Sequence, residues 1–589
     1  MLSCVLGNSS GISGYYYLEK VSCYAKHGAP LIADTPKHTL ISKKGNGYMR
    51  KYWKQCTLLC CVVALAGTAF WQIGNRKKPE IRKYSAFFSV LGQEIDEDNE
   101  IKKKIAELTG AECEEIWLVG QTSDQAIASY IAGGEYPDFI SGNIDLYEAN
   151  ALIPVDEYWD EYPNLRSYFT DSQWELLKQE DGHIYWIPQF GNQKNPSEDI
   201  LHNGEAFWIQ TRVLKWAKYP EIRTLEEYFN LIEAYVDAHP LDDLVPYTVL
   251  CDDWRYFCLE NVPQFLDGYP NDGCCIVNPN TLKVEDYNTT ATARKYYRIL
   301  NEEFQKGILD PEFYTQTYSE YLEKLATGRV LGMSDQWWQF YYTVDDMLRQ
   351  QGEGMNYVPL PITIDRNVQN KWHTQNGTQP DVSGGISVTV SCKDVKGAFQ
   401  FLNDLLREDI QKLRFWGIEG VDYEVDENGL FYLTEEQRDM VADSQYKNTH
   451  FCSYAYFPRL EGNYEDGINA FSPEFQPEEF YAALPEDVKE CLSAYGCNDY
   501  VDMLGNHDIP GEWFPVYAYA DILTTGSEAG LVWKKMDQVK REYLPQLVMT
   551  EDFDSIWEKY MESYESVHPE IFFAEMQKVV DERTGNKSE

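Results

Sequence analysis

From Tyr84 onward, short apolar runs alternate with longer stretches whose apolar positions recur every three or four residues. The first pattern is that of strands and the second that of amphipathic helices. Strands are predicted at 84–90, 115–119 and 138–141, with helices at 99–108, stopped by Gly110, and at 124–131, ended by Gly133-Gly134. The rhythm resumes after Gly204 with a strand at 207–210, a helix at 225–239 capped by Thr224, and a strand at 247–251. A helix at 291–306, a short strand at 330–333, a buried strand at 385–390 and a helix at 395–406 follow. The tail from about 430 is rich in helix and loop, with helices near 478–494, 528–543 and 552–564. Strands alternating with helices of this length build a parallel α/β sheet, and its ligands sit at the C-terminal ends of the strands. A chain of 589 residues without repeats or low-complexity linkers is most simply two α/β lobes, with the chain crossing between them more than once.

Residues 56–71, CTLLCCVVALAGTAFW, are the one uninterrupted apolar run, and Arg50, Lys51 and Lys54 precede it. That order is the signature of a secretory signal. The run of 16 residues falls slightly short of the roughly 20 that a spanning helix needs. Arg76-Lys77-Lys78 follow closely, which keeps an uncleaved membrane anchor open. Residues 49–78 are therefore read as signal or anchor, and 1–48, before Met49, as a disordered arm or a mis-assigned start. Leu65-Ala66-Gly67-Thr68 would be a lipobox if Thr68 were Cys. A thioether-linked lipid requires that sulfur, so lipidation at this site is not supported.

Charge narrows the function. The chain has 51 Lys/Arg against 95 Asp/Glu, a formal charge of −44. The first 78 residues hold eleven Lys/Arg against Glu19 and Asp34, which leaves 40 against 93, or −53, in the other 511. A body that acidic repels a phosphate backbone, which excludes nucleic-acid binding, and it adsorbs poorly to anionic lipid. It suits a protein acting on neutral or cationic small molecules. Of 14 cysteines, Cys4, Cys23, Cys56, Cys60 and Cys61 lie in the leader. The remaining nine show no paired CxxC or His cluster, so neither a zinc site nor a cofactor is expected. Cys251/Cys258, Cys274/Cys275 and Cys491/Cys497 either form local disulfides or stay buried thiols.

Particular blocks carry a resemblance. IKKKIAELTGAE (101–112), IASYIAGGEYPDFISGN (127–143), ALIPVDEYWDEYPNL (151–165) and DGHIYWIPQ (181–189) resemble the N-terminal lobe of the family 1 extracellular solute-binding proteins. EFQKGILDPEF (303–313), LATGRVLGMSDQWW (325–338), RFWGIEGVDYEVDENG (414–429) and DFDSIWEKY (552–560) continue the pattern in the family's order, so the resemblance spans most of 80–570. The WGIEGVDYEVDENG block is most similar to the large oligosaccharide-binding lipoproteins of Gram-positive gut bacteria. The resemblance implies the type II periplasmic-binding-protein fold, two α/β lobes joined by a hinge with crossing segments and a helix-rich C-terminal part. It also implies service to a carbohydrate ABC importer with a two-subunit permease. The lobes are expected at 79–195 plus about 380–425, and at about 200–375 plus 430–589.

Sugars offer C–H faces that stack on rings and hydroxyls that need paired donors and acceptors. Asp335-Gln336-Trp337-Trp338 follows an apolar strand and carries both handles; the family's matching Trp stacks on sugar, which singles out Trp337, with one of the two rings expected in the core. Asp252-Asp253-Trp254 follows the strand at 247–251 in the same manner, or supplies only surface acids. The resemblance places polar ligand contacts at Asn143 and Asp145, where an Asx turn is the alternative. Gln121 lies just past a strand's end. Trp186 and Gln189 fall where the family crosses toward its second lobe, and Trp186 alternatively packs the hinge. Trp416 and Glu419 lie in the WGIEG turn, from which a family aromatic approaches ligand; core packing is the other reading of Trp416.

Enzyme readings fare worse. Acids and aromatics also build glycoside hydrolases, whose two carboxyls stand about 5 or 6.5–9.5 Å apart, but no block resembles one. The GxSxG match at Gly7–Gly11 lacks a strand-to-helix elbow and is read as chance. There is no HExxH, P-loop or dinucleotide fingerprint, and 96–99 (DEDN) lacks the Gly and distal Glu of a calcium loop. A peptide binder of the same fold would want fixed charge for the ligand's termini, and a sensor role is not separable from transport. The expectation is a monomeric, exported, membrane-associated oligosaccharide-binding protein that closes on its ligand and makes or breaks no bond.

Overall fold

The structure, a computed structural model, describes residues 81–585 apart from 93, 190–191, 196–199, 202–203, 241–242, 271–272, 372–379, 506–510 and 525. The signal or anchor expected at 49–78 and the arm at 1–48 lie outside the described residues. Among those described, no helix is long and apolar enough to cross a membrane.

The chain opens with β1 (Arg82–Phe88), α1 (Glu100–Thr109), β2 (Ala111–Trp117), α2 (Ser123–Gly133) and β3 (Phe139–Gly142). It continues through β4 (Glu205–Gln210), α3 (Leu225–Ala238), β5 (Val245–Val249), α4 (Ala291–Lys306), α5 (Tyr318–Ala326), β6 (Val330–Gln336), α6 (Trp337–Gln351) and β7 (Tyr357–Leu360). After β8 (Gly385–Val388), α7 (Val395–Leu405) and α8 (Glu408–Phe415) come shorter pieces and then α9 (Glu528–Met549), α10 (Phe553–Ser566) and α11 (Pro569–Thr584). Local chemistry sets these limits. Asn99 caps α1 by accepting from the Lys102 amide, and Gly110 ends it in the left-handed conformation at φ 68°. Thr224 and Glu227 form a reciprocal capping box at the start of α3.

Two four-stranded sheets result, ordered β8-β3-β1-β2 and β7-β4-β6-β5. In the first, β1 runs parallel to β2 and β3, with Ala86 opposite both Glu115 and Phe139, and β8 is antiparallel to β3. In the second, β5 and β6 are parallel while β4 is antiparallel to β6 and β7. Each sheet has its own core. One gathers Phe87, Phe139, Ile140, Trp186 and Phe401; the other gathers Trp208, Tyr247, Met333, Phe340 and Leu544. Cys452, Tyr454 and Phe457, grouped with the second lobe by the sequence reading, pack in the first core. A small third cluster holds Trp416, Tyr423, Phe431 and Tyr464. Two segments that pass between the cores pair side by side, Gln193–Lys194 parallel to Glu461–Gly462.

Three departures from the predicted elements have local causes. The helix expected at 478–494 is two, Pro477–Ala483 and Glu486–Tyr495, because Pro485 forces Leu484 out of helical geometry, to ψ 141°. Strand β7 carries Pro359, a residue that argues against a strand except on an edge, and β7 is an edge. The Asp335–Trp338 segment is not a loop: Asp335 and Gln336 finish β6, and Trp337 opens α6.

Candidate functional site

Because β5 and β6 are parallel neighbours, the residues that leave their C-terminal ends lie side by side. From β5 the chain enters a tight turn at Asp253–Tyr256, and from β6 it enters α6. This brings Trp254 and Trp338 together, rings 6.0 Å apart and 14° from parallel. Both are half-buried. Arg255 lies against them, its guanidinium 4.4 Å from the Trp254 ring and 3.8 Å from that of Tyr318.

The first sheet presents a matching wall. Past the end of β1, Gly92 lets the Trp117 ring lie on the backbone, since a Cβ there would fall 2.1 Å from the indole. Trp117 packs on Phe88 at 5.2 Å and edge-on to Tyr456 at 5.6 Å. Burial raises the Tyr456 phenol pKa, opposed first by the charge of Arg255 and then by that of Arg459. Arg255 follows β5 of the second lobe and Tyr456 packs on the first core, so charge on one lobe is felt on the other. The lobes also touch: the Ser123 amide, at the N-terminus of α2, donates to the Asp253 carboxylate at 3.1 Å. Farther along, Lys447 pairs with Asp346 at 3.1 Å.

The band continues through Tyr342, which is 54% exposed although desolvation holds its phenol pKa well above the ordinary value. Its hydroxyl donates to Glu474 at 2.9 Å, and Arg459 pairs with Glu461 at 2.9 Å. The arrangement offers rings for flat faces and paired donors and acceptors for hydroxyls, the two requirements of sugar capture. Partly open hollows also occur away from these rings. One of about 10 Å³, between Trp337, Phe340, Tyr341 and Tyr500, has room for no more than one water. Another, about 260 Å³, is lined by Tyr147, Asp181 and Tyr185 and includes none of the cleft rings.

The predicted residues divide. Trp254 and Trp338 meet in the cleft, with Gln336 accepting from the Trp338 indole. Trp337, singled out by sequence, is 2% exposed and stacks on Tyr341; it belongs to the second core. Asp335 is fully buried, bonded to Tyr321, Gln339 and the Gln336 amide, and burial pushes its carboxyl up to about 6. Asp252 accepts from the Tyr318 amide at 2.8 Å, and Asp253 spans the lobes. Asn143 caps the short helix Ile144–Glu148, the turn reading; Asp145, Gln121 and Glu419 are exposed and Gln189 is half-buried. Trp186 donates to the Val382 carbonyl and Trp416 to that of Ala470, both within cores. Sequence reasoning missed Trp117, Arg255, Tyr318, Tyr342, Tyr456 and Arg459. Trp117 carried the same signal as Trp254, a ring at a strand's C-terminal end; Tyr456 and Arg459 come from a stretch with no period to place them. All nine described cysteines are free thiols, eight of them buried, which settles the disulfide alternative. Among the described residues no His, Cys, Asp and Glu side chains cluster as a metal site would require.

Behind the first wall, burial pushes the Glu115 carboxyl up to about 7, and its Oε1 has no hydrogen-bond partner. The folded chain thus keeps this proton to higher pH than the unfolded chain, whose carboxyl titrates near 4.5. The resulting stabilisation is complete below about pH 4.5 and is lost as pH rises through about 7. Glu115→Gln is expected to stabilise the chain at pH 8 by on the order of 2 kcal/mol, seen as a raised unfolding midpoint, and to leave it nearly unchanged at pH 5. Thermal melts of both proteins at the two pH values check this; equal gains at both would sink it.

No protein-family model matches the sequence, and no curated protein gives a significant match. Solved structures do match. The Streptococcus pneumoniae ABC-transporter substrate-binding protein FusA, in complex with kestose, superposes with a TM-score of 0.60 at 17% identity, over 86% of this chain and 100% of its own. The alginate-binding protein AlgQ2 gives 0.59 at 14% identity, over 85% and 98%. A solute-binding protein from Bifidobacterium longum infantis, described as binding HMO, gives 0.51 at 13% identity, again over 85% and 98%. The likeness shows the fold. This chain has the two-lobed periplasmic-binding-protein architecture of ABC-transporter solute-binding proteins.

Proposed function

We propose that this chain captures an oligosaccharide between its two lobes as the extracellular binding component of a carbohydrate ABC importer. The observation that carries the reading is the pair of aromatic walls, Trp254 and Trp338 on one lobe and Trp117 and Tyr456 on the other. The neighbours described as bound to kestose or binding alginate support the same substrate class. A ligand that bridges both walls gains contacts that the open form lacks, so binding shifts the population toward the closed form. That form would dock on a two-subunit permease, with the apolar segment at 56–71 serving export or attachment to the outer face of a Gram-positive membrane. What supports a binder over a hydrolase is that each cleft carboxylate is already held: Asp252 by the Tyr318 amide, Asp253 by the Ser123 amide, Glu461 by Arg459 and Glu474 by Tyr342.

A thermal-shift screen against plant, fructan and mucin oligosaccharides, with di- and tripeptides alongside, tests the proposal. A ligand at 100 times its Kd adds about 2.7 kcal/mol by mass action. The expected result is a raised midpoint with an oligosaccharide recovered unhydrolysed. Recovery of cleaved sugar, or a shift with peptides alone, would overturn it.

A further inference from the structure

Arg255 is 5% exposed, yet among the described residues it forms no ion pair, and its Nε is buried with no hydrogen-bond partner. It is the counterpart of Arg459, which is also in the cleft but is neutralised by Glu461. A buried guanidinium without an anion is costly. Stacking between Trp254 and Tyr318 offsets part of that cost and fixes the plane of the fork without using its donors. The neighbouring acids do not fill the gap: Asp252 is turned to the Tyr318 amide and Asp253 to Ser123. Across the cleft the Trp117 Nε1 is likewise buried without an acceptor. Two buried donors without a partner therefore stand at the cleft, one on each lobe, and one of them carries a full positive charge.

We infer that the ligand brings the missing anion: resting on the sugar-binding reading above, the cleft is built for a carboxylate-bearing oligosaccharide, whose acid group Arg255 holds in a bidentate pair while the rings stack the sugar. Neutral hydroxyls would satisfy the donors but leave the charge unpaired, and the planar fork matches a carboxylate in geometry as well as charge. The acidic body, at −53 beyond residue 78, does not forbid this. Its field is screened within about 8 Å at physiological ionic strength, so it slows encounter more than it weakens a pair formed inside the cleft. Net charge alone favours a neutral or cationic ligand, and the unpaired guanidinium favours an anionic one.

The test is calorimetry on the purified protein with matched pairs: oligogalacturonides against their carboxyl-reduced forms, and sialyllactose against lactose. The two pairs distinguish a uronate from a sialate as the source of the acid. In at least one pair the acidic member is expected to bind at least tenfold tighter, with an advantage that shrinks as salt rises. Arg255→Gln should remove that advantage, while Arg255→Lys, which keeps charge but not the fork, retains part of it. The inference is overturned if the neutral member binds as well in every pair, or if the preference survives Arg255→Gln. Should the Gln variant fail to fold, the wild-type pairs and the Lys variant still decide. Binding of neutral glycans without acidic ones would remove this inference and leave the proposed function standing. Binding of neither member of any pair would remove this inference alone, whereas binding of peptides alone would remove both.

Discussion

Arg414→Met is expected to destabilise the chain by about 4 kcal/mol, the scale for removing a buried charged group with all its hydrogen bonds. Arg414 is 1% exposed and has no carboxylate partner among the described residues. Its guanidinium donates instead to five backbone carbonyls: Ser453 at 2.7 Å, Pro458 at 2.8 Å, Tyr454 at 3.0 Å, Leu405 at 3.1 Å and Phe457 at 3.3 Å. Burial, reinforced by the charge of Arg459, lowers its pKa to about 10, so it remains charged at neutral pH. Methionine fills the volume but removes every one of these donors; Leu405 still accepts from the Gln411 side-chain amide and Tyr454 from the Phe457 backbone amide, whereas the carbonyls of Ser453, Phe457 and Pro458 are orphaned in a segment without regular structure. Arg414→Lys should fare nearly as badly, because one ammonium with three donors cannot reach five acceptors set around a plane. Urea unfolding of the three proteins checks this. A loss below about 1 kcal/mol for the methionine variant would mean that the 453–458 segment holds its own shape. The same segment carries Tyr456, so ligand affinity should fall with stability.

The second large effect separates two adjacent rings. Trp338→Ala is expected to weaken the best glycan about 30-fold, or roughly 2 kcal/mol, as for a well-packed aromatic anchor, and to change the melting midpoint little because the ring is already half in solvent. Trp337→Ala should do the reverse. A ring at 2% exposure stacked 3.9 Å from Tyr341 leaves a cavity costing about 3–5 kcal/mol, while it touches no sugar. Titration calorimetry and melts on both variants give a crossed pattern; the opposite crossing would restore Trp337 as the sugar platform.

That crossing marks how far the sequence could be read. The strand–helix alternation, the Thr224 cap and the Gly110 stop were legible because each is set by residues within a few positions. In the sequence the DQWW segment only follows an apolar strand, and that place offers no rule for choosing between two neighbouring rings. Once α6 is known to begin at Trp337, the choice is fixed. Trp337, Phe340, Val344 and Leu348 share one helical face and are buried, which turns Trp338 outward. The same holds for Asp335, whose burial follows from the place of β6 between β4 and β5. The opposite wall was less accessible still. Tyr456 and Arg459 reach the cleft through long-range packing of a segment without period, whose path is set by distant partners such as Arg414, Cys113 and Tyr168.

The free thiols gain a different meaning once the two cores are distinguished. Cys113, Cys392 and Cys452 sit in the first, and Cys251, Cys258, Cys274, Cys275 and Cys491 in the second. Burial holds the thiols of Cys113 and Cys258 well above their ordinary pKa, so neither offers a nucleophile until its surroundings open. Alkylation at a given cysteine therefore timestamps the opening of one lobe, and the chain carries a built-in clock for each half of its own unfolding.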